Sequence, residues 1–324
     1  MKLIHLWFCT LALASSAIAA EEPVDSRFKP AKPDPLIGDW QGTPGCVAQV
    51  IAGDDGKYQA NLFGTFDEPD AKPLAILRGD ATALSGDGWT GSMNGRDFKA
   101  SRGAGSFELK HITRPPPKLG AKPPAGAVVL FDGKNMDSFA NKKGKEWLVE
   151  DGPAPWNIVD RALEVVPGTG GGIITRRKFG DCHVHVEFCT LGAPTNSGIY
   201  LQTRYEVNIN ETYGKLEGTP NGGFDNCTEV KPRIRASRPP LAWQTLEIEF
   251  TAPRFDAAGK KTASARATVW LNGAKLYDRQ ELNPPKGAAG RLGEAATGPL
   301  MLQEHGMPVQ FRNIWVVETS RPNA

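Results

Sequence analysis

The strongest constraint on the fold is the stretch from Asn196 to Asn210, in which apolar and polar side chains alternate from Ile199 onward. Successive side chains of a strand point to opposite faces, so such a run presents one face to a core and the other to solvent or a ligand. The inward set is Ile199, Leu201, Thr203, Tyr205, Val207 and Ile209, and the outward set is Tyr200, Gln202, Arg204, Glu206 and Asn208. The pattern predicts one strand with a polar face typical of sugar-binding sheets, and a merely solvated face is the alternative.

The rest of the chain favours an all-β protein. Its 36 Gly and 26 Pro are spread among many short alternating segments, as expected for strands joined by turns. A length of 324 residues fits two domains better than one. The net charge of +2 is too small to indicate binding to nucleic acid or to an anionic membrane.

The first 20 residues have the features of a secretory signal peptide. Lys2 precedes an apolar run, and Ala17-Ile18-Ala19 is a small-x-small cleavage site. No later segment approaches the ~18 consecutive apolar residues of a membrane-spanning helix. We therefore expect a secreted or periplasmic protein without a membrane span.

Four cysteines follow the signal peptide, too few to indicate a disulfide framework. Cys182 and Cys189 lie about 23 Å apart if they share one extended strand, so they cannot bond to each other there. Cys227 is the expected partner if any disulfide forms in the larger domain.

Consecutive prolines mark the clearest domain boundary. Residues 114–126 include Pro115-Pro116-Pro117 and Pro123-Pro124, which cannot enter a sheet interior, and proteolysis is expected to cut there first. The predicted segments are a signal peptide (1–20), a flexible leader (21–35), a small accessory β domain (36–113), a proline-rich linker (114–126), a larger β-sandwich (127–319) and a tail (320–324). The Asp-Gly pairs of the small domain indicate turns, with a calcium site as the alternative.

A second polar strand face carries His183, His185 and Glu187. Alternate strand residues converge on one side, so this His-x-His-x-Glu face is a candidate for a divalent metal. A polar wall of a binding cleft and a solvated face are the alternatives, because no further ligand strand is identified. No other cofactor is indicated. His305 ends a late strand at a glycine turn, from which an imidazole can reach a cleft.

Taken together, several segments resemble the 3-keto-disaccharide hydrolase domain, a family common in exported proteins of sugar-degrading bacteria. The resemblance covers residues 127–318. It rests on Leu130-Phe131-Asp132-Gly133, Asn196-Ser197-Gly198-Ile199-Tyr200-Leu201-Gln202, Arg204-Tyr205-Glu206-Val207, Val269-Trp270-Leu271-Asn272-Gly273, Leu302-Gln303-Glu304-His305-Gly306 and Phe311-Arg312-Asn313-Ile314-Trp315, among others. It implies a concanavalin-like β-sandwich (jelly roll) that cleaves glycosides whose C3 hydroxyl has been oxidised to a ketone.

This resemblance also implies roles for individual residues. A C3 ketone acidifies the C2 proton, so a base can start β-elimination of the aglycone, and water then adds to give net hydrolysis. The roles of base and acid fall to Glu206 and His305, and the carbonyl contact falls to Arg204 or Arg312. The remaining substrate-binding candidates are Tyr200, Gln202, Gln303, His185 and Glu187.

The segment 227–233 departs from the family pattern, since charged residues replace Tyr and Gly beside the expected cleft. The departure keeps two other functions open. One is a carbohydrate-binding β-sandwich without catalysis, and the other is a structural or adhesion module with the same fold.

Overall fold

The computed structural model describes residues 27–42, 45–143 and 146–319. The predicted signal peptide, residues 21–26 of the leader and the tail at 320–324 lie outside the described residues. Nearly all regular structure in the described residues is β-strand, which confirms the all-β expectation. A search of the same residues finds no helix with the length and apolar character needed to cross a bilayer.

The N-terminal part forms a closed β-barrel of eight strands in chain order. The strand that precedes it is β1 (Lys29–Pro30), and the barrel strands are β2 (Gly38–Gly42), β3 (Val47–Ala52), β4 (Tyr58–Phe63), β5 (Ala75–Asp80), β6 (Ala83–Gly86), β7 (Trp89–Asn94), β8 (Asp97–Arg102) and β9 (Gly105–Ile112). β2 pairs with β9, so no barrel strand is left as an open edge. Trp40, Leu77 and Phe98 fill the interior.

The remaining strands form two main sheets. The eight-stranded sheet contains β10 (Val128–Phe131), β13 (Asn157–Val159), β14 (Ala162–Glu164), β16 (Cys182–Thr190), β20 (Gln244–Thr251), β23 (Arg266–Leu271), β24 (Ala274–Glu281) and β26 (Val309–Glu318). The six-stranded sheet contains β11 (Phe139–Lys143), β12 (Glu146–Pro153), β15 (Ile173–Phe179), β18 (Asn196–Leu201), β19 (Tyr205–Asn210) and β25 (Gly298–Leu302). The minor elements are β17 (Gly192–Ala193), β21 (Arg254–Phe255), β22 (Lys261–Ala263) and α1 (Gly287–Gly290).

These sheets pack face to face as a sandwich. Phe188 and Leu246 from the eight-stranded sheet and Ile199 and Val207 from the six-stranded sheet belong to one buried apolar cluster. Each strand gives alternate residues to this core, so each sheet keeps a second face that points away from it. The observed sandwich agrees with the fold class expected from the sequence.

The alternating run at 196–210 is a hairpin and not the single strand predicted. Strand β18 ends at Leu201, and Gln202 and Thr203 turn the chain with φ of 54° and 59°. Leu201 lies directly opposite Tyr205, so residues of equal parity share a face in both strands. The three-residue turn therefore preserves the alternation and cannot be detected from it.

Residues 27–35 differ from a flexible leader because they are tied to the sandwich. β1 pairs antiparallel with β17, and the ring of Phe28 lies against Gly192, where an added Cβ would come within 2.8 Å of it. The four described cysteines are all buried and free, so the structure contains none of the disulfides considered for Cys227.

The proline-rich linker lies on the outward face of the eight-stranded sheet. The amide of Gly120 donates a hydrogen bond to Glu187 Oε1 (2.6 Å), and Asn313 Nδ2 donates one to the carbonyl of Ala121 (2.9 Å). At the linker's start, Arg238 Nε donates to the carbonyl of Arg114 (2.9 Å). Backbone groups bonded in this way are less accessible than the composition of the linker suggests.

We expect the docked linker to resist proteolysis until its anchor is removed. Asn313→Ala deletes the donor to Ala121 and should increase cleavage within residues 114–126 several-fold, as mapped by mass spectrometry of limited digests. Asn157→Ala, at an exposed asparagine of the same sheet, is the matched control. Equal cleavage in both variants would contradict a role for this anchor.

Candidate active site

One row of side chains crosses the outward face of the six-stranded sheet. The strand registers place Ile174 opposite Met301, Met301 opposite Tyr200, and Tyr200 opposite Glu206. Their chain neighbours Ile173, Leu302, Ile199 and Val207 belong to the sandwich core, so this row points away from it. The row carries an apolar floor at one side and a tyrosine–carboxyl pair at the other.

Three polar residues of this face lie next to one another. Gln303 Nε2 donates to the hydroxyl oxygen of Tyr200 (3.1 Å), and the Tyr200 hydroxyl lies close enough to the Glu206 carboxyl to affect its pKa. Gln303 Oε1 is buried and has no hydrogen-bond partner among the described residues. A bound hydroxyl could supply that partner, because a buried acceptor left unpaired carries a desolvation cost.

The Glu206 carboxyl has an unusual environment. Burial, followed by repulsion from Asp225, raises its pKa to about 7, although the Tyr200 hydroxyl favours the ionised form. Burial and the neighbouring Glu206 also raise the pKa of Tyr200 well above its usual range, so this phenol stays protonated and acts as a donor. The nearby Cys227 thiol likewise has a raised pKa, first from burial and then from Glu206. Glu206 can therefore exchange a proton near neutral pH.

Small residues leave room beside this carboxyl. A Cβ added at Gly198 would lie only 3.2 Å from Glu206 Oε1, so a side chain there would crowd the carboxyl. Trp147 meets Tyr200 edge to face with ring centroids 5.6 Å apart, and Ala289 of α1 joins the apolar floor with Met301. Tyr200, Met301 and Ala289 are almost fully buried, so aromatic, apolar and hydrogen-bonding groups pack together beside the Glu206 carboxyl.

Lys142 adds a cation to the same face, two residues after Ala140 on β11. Its ammonium group donates to the carbonyl of Gly170 (2.7 Å) and lies 5.2 Å from the centroid of the Trp147 ring. Burial lowers the pKa of Lys142, whereas the charge of Glu304 opposes this effect. Neither Lys142 nor Trp147 stands in a recognisable motif, so neither is a candidate site residue from sequence alone.

His305 lies at the rim of this face. It is exposed, and its Nδ1 is 3.3 Å from Asn196 Nδ2. Asn196 is four residues from Tyr200 on β18, a separation of about 13 Å along a strand. Among the described residues, no hydrogen bond joins His305 to Glu206, and the contact of His305 with Asn196 places it toward the other end of β18.

Gln202 and Arg204 do not lie on this face, contrary to the prediction. Gln202 Nε2 donates to the carbonyls of Phe179 (3.3 Å) and Ala296 (3.2 Å), at the end of the hairpin. Arg204 donates through Nη1 to the carbonyl of Gln202 (2.7 Å) and through Nε to that of Gly293. Both side chains donate to backbone carbonyls around a tight turn, although Gln202 Oε1, like Gln303 Oε1, is buried without a hydrogen-bond partner among the described residues.

His185, Glu187 and Arg312 form a separate cluster on the outward face of the other sheet. Glu187 accepts hydrogen bonds from Arg312 Nε (2.7 Å) and Asn313 Nδ2 (2.9 Å), as well as from the linker. His185 Nδ1 contacts Glu247, and its ring stacks on Trp315. The sandwich core separates this cluster from Glu206, so these three residues cannot contact the same small ligand as Glu206.

In this second cluster, the positive and negative side chains offset one another's charges. Burial alone raises the pKa of Glu187, but hydrogen bonds from His185, Asn313 and Arg312 lower it to about 2. Burial lowers the pKa of His185. Its interactions with Glu187 and Glu247 have the larger combined effect, so the pKa is raised overall. Within the described residues, no three His, Cys, Asp or Glu side chains are arranged to hold a metal ion.

The loop after β19 supplies residues that sequence reasoning did not identify. Asn226 Oδ1 accepts the backbone amide of Glu206 (3.1 Å), and Asp225 Oδ2 accepts from Asn208 Nδ2 (2.8 Å). Because this loop has no periodicity, nothing in the sequence places Asp225 beside Glu206. Only the tertiary fold shows that Asp225 contributes to the raised pKa of that carboxyl.

Comparison with known proteins adds four findings. Residues 126–317 match the family of the 3-keto-alpha-glucoside-1,2-lyase-like domain. Among solved structures, a proposed glycosyl hydrolase from Parabacteroides distasonis is 30% identical, with a TM-score of 0.52, over 60% of this chain and 85% of that one. A second such protein from this organism is 18% identical, with a TM-score of 0.40, over 60% and 94% of the two chains. None of the curated proteins matches the chain.

Two substitutions should move the pKa of Glu206 in opposite directions. Tyr200→Phe removes a hydroxyl that favours the carboxylate and should raise the pKa above about 7, whereas Asp225→Asn removes a repelling charge and should lower it. NMR titration of ¹³C-labelled glutamate, with Glu206 assigned through Glu206→Gln, measures both shifts.

A matched control is Tyr58→Phe, which removes the hydrogen bond from this barrel tyrosine to the carboxylate of Asp34. It should leave the Glu206 titration unchanged. Shifts of the same sign in Tyr200→Phe and Asp225→Asn would contradict this account of the site.

Proposed function

The chain belongs to the family of the 3-keto-alpha-glucoside-1,2-lyase-like domain, and we propose that it is an exported enzyme that cleaves 3-keto-glycosides. The observation that carries the proposal is the Glu206 carboxyl, whose pKa burial raises to about 7 beside the protonated Tyr200. A general base works best when its pKa lies near the working pH. Secretion or location in the periplasm is proposed from the sequence of residues 1–20.

The reaction needs one base and a donor for the ketone oxygen. Glu206 takes the proton from C2, and the C2–H electron pair delocalises onto the C3 oxygen. Collapse of this enolate forms the C1–C2 double bond and breaks the C1–O bond, so the aglycone leaves and takes up a proton. Addition of water across the double bond then gives the 3-keto sugar, and the sum of both steps is hydrolysis.

Gln303 is positioned to stabilise the enolate oxygen. One hydrogen of its amide group is used on Tyr200, the residue opposite Glu206 in the strand register, which leaves a second N–H and the unpaired Oε1 for a sugar. A donor to the C3 oxygen must lie within a few ångströms of the base, because C2 and C3 are bonded neighbours. Arg204 and Arg312 are bonded elsewhere, so we assign the carbonyl contact to Gln303.

Tyr200 and Trp147 support substrate binding. An edge-to-face aromatic pair beside hydrogen-bonding groups suits a sugar ring, which has both apolar C–H faces and hydroxyls. His305, exposed at the rim, would contact the substrate away from the reacting carbons. The same aromatic pair would also serve the alternative function, a carbohydrate-binding module without catalysis.

Glu206→Gln should reduce kcat by ~10² to 10⁴ with little change in KM, because the amide cannot accept the C2 proton. His305→Ala should mainly raise KM, because a rim residue contributes to binding. Steady-state kinetics on 3-keto-glucosides, with and without chelator, measure both effects and test the divalent-metal alternative. Glu249→Gln, at an exposed glutamate of β20, is the control for loss of a carboxylate. Unchanged kcat in Glu206→Gln would refute the assignment of the base.

Solvent deuterium should enter C2 of the keto sugar in D₂O, because proton abstraction there is the first step. Mass spectrometry of recovered substrate and product detects this exchange, which Glu206→Gln should abolish. Direct displacement at C1 would leave C2 unlabelled. If the protein binds glycans but neither cleaves 3-keto-glycosides nor exchanges the C2 proton, the carbohydrate-binding module is the correct function.

The pH profile should report the buried carboxyl. Glu206 accepts a proton only when ionised, and burial raises its pKa to about 7, so kcat/KM should increase with pH up to about 7 and then level off. Tyr200→Phe should move this acid limb to higher pH. If kcat/KM instead rises near pH 4.5, where an ordinary glutamate titrates, another group or another conformation controls the rate.

A further inference from the structure

The barrel holds the beginning of the long loop at residues 211–240. The Tyr213 hydroxyl donates to Asp39 Oδ1 of β2 (2.9 Å), and Asn61 Nδ2 of β4 donates to the carbonyl of Gly214 (2.7 Å). Tyr213, Asp39 and Asn61 are all buried. Ile51 of β3 packs so closely that a Cβ added at Gly214 would lie 2.5 Å from its Cγ2. Residues 213–214 are therefore fixed to the barrel by buried contacts.

A second set of contacts holds the end of the loop. The amide of Asp70 donates to the carbonyl of Arg233 (2.7 Å), and Arg233 Nε donates to Asp70 Oδ2 (2.6 Å). The linker joins in, because Arg238 donates to the carbonyl of Arg114, whose own Nε donates to Asp39 Oδ2 (2.8 Å). The barrel and its linker thus hold both ends of one loop.

Between these two attachments, the middle of the loop pairs with β19. Asn208 exchanges backbone hydrogen bonds with Gly222 and Gly223 (2.9 Å each), and Val207 forms a β-bridge with Phe224. The loop then passes Glu206, whose amide donates to Asn226 Oδ1. The loop therefore covers the edge of the strand that carries the candidate base.

This cover is not stabilised by regular structure of its own. From residue 211 to residue 243, all of which the structure describes, no strand or helix occurs. Such a segment opens locally unless tertiary contacts offset the entropy of ordering it. The sandwich holds part of this loop, since Thr190 donates to Glu211 (2.7 Å), Asn272 donates to the carbonyl of Ala236 (2.8 Å), and Phe224 belongs to the sandwich core. The further contacts at residues 213–214 and 233 come from the barrel, which contributes no residue to the site around Glu206.

We propose that the barrel is a positioning domain, which holds the loop at 211–240 against β19 and thereby keeps Glu206 buried in its working environment. Asn61, Tyr213 and Asp70 act through the loop and are positioning residues. This inference goes beyond the proposed function, and its first test does not depend on that function.

Loosening the loop would change the titration of Glu206 in a defined direction. The groups that face this carboxyl are Tyr200 on β18 and Asp225 and Cys227 on the loop. If the loop moves away, water reaches the carboxyl and the repulsion from Asp225 weakens. Both effects lower its pKa from about 7 toward the ordinary value of 4.5.

Hydrogen exchange of the full chain tests the proposal. Asn61→Leu removes the donor to Gly214, and Tyr213→Phe removes only the hydroxyl, so one of the two can be studied if the other does not fold. Backbone amides of residues 216–231 should exchange about tenfold faster, the effect of losing roughly one buried hydrogen bond. Asp97→Ala, which breaks an exposed barrel ion pair with Lys110, should leave them unchanged.

A second readout separates positioning from general stability. In Asn61→Leu or Tyr213→Phe, NMR titration should place the Glu206 pKa lower than in the native chain, and the acid limb of kcat/KM should move in the same direction. Faster loop exchange without a pKa change, or equally faster exchange throughout the chain, would overturn the proposal. If the chain cleaves no 3-keto-glycoside, the exchange and NMR results still decide it.

Discussion

The two-residue period of the β-strand determines where everything else in this molecule can lie. Each strand of the sandwich gives alternate residues to one shared core, so its remaining residues must face away from it. On the six-stranded sheet this outward face aligns Met301, Tyr200 and Glu206 across three strands. The candidate site is therefore a consequence of the same alternation that buries Ile199 and Val207.

This periodicity also explains what the sequence could predict. The inward residues Ile199, Leu201, Tyr205, Val207 and Ile209 are all in the core, as their parity indicated. Tyr200 and Glu206 share a face for the same reason. The domain boundary at the proline run and the roles of the site residues stay predictions, because they depend on more than periodicity.

What failed depends on geometry that parity does not contain. A turn of three residues keeps the alternation intact, so Gln202 and Arg204 looked like members of a strand face but instead bond carbonyls at a hairpin end. Parity also cannot distinguish the outward faces of two different sheets. His185 and Glu187 have the right alternation, yet their face lies under the linker, on the opposite side of the core from Glu206.

Two buried glutamates show how the fold separates a structural carboxylate from one suited to chemistry. Glu187 is almost inaccessible, but Arg312, Asn313, His185 and the Gly120 amide bond its charged form, and its pKa falls to about 2. Burial raises the pKa of Glu206 to about 7, and repulsion from Asp225 adds to this effect, whereas the Tyr200 phenol opposes it only in part. The first carboxylate is stable in its charge and holds the linker in place. The second is close to balanced between its two forms at neutral pH, the condition under which a carboxyl group can both accept and release a proton.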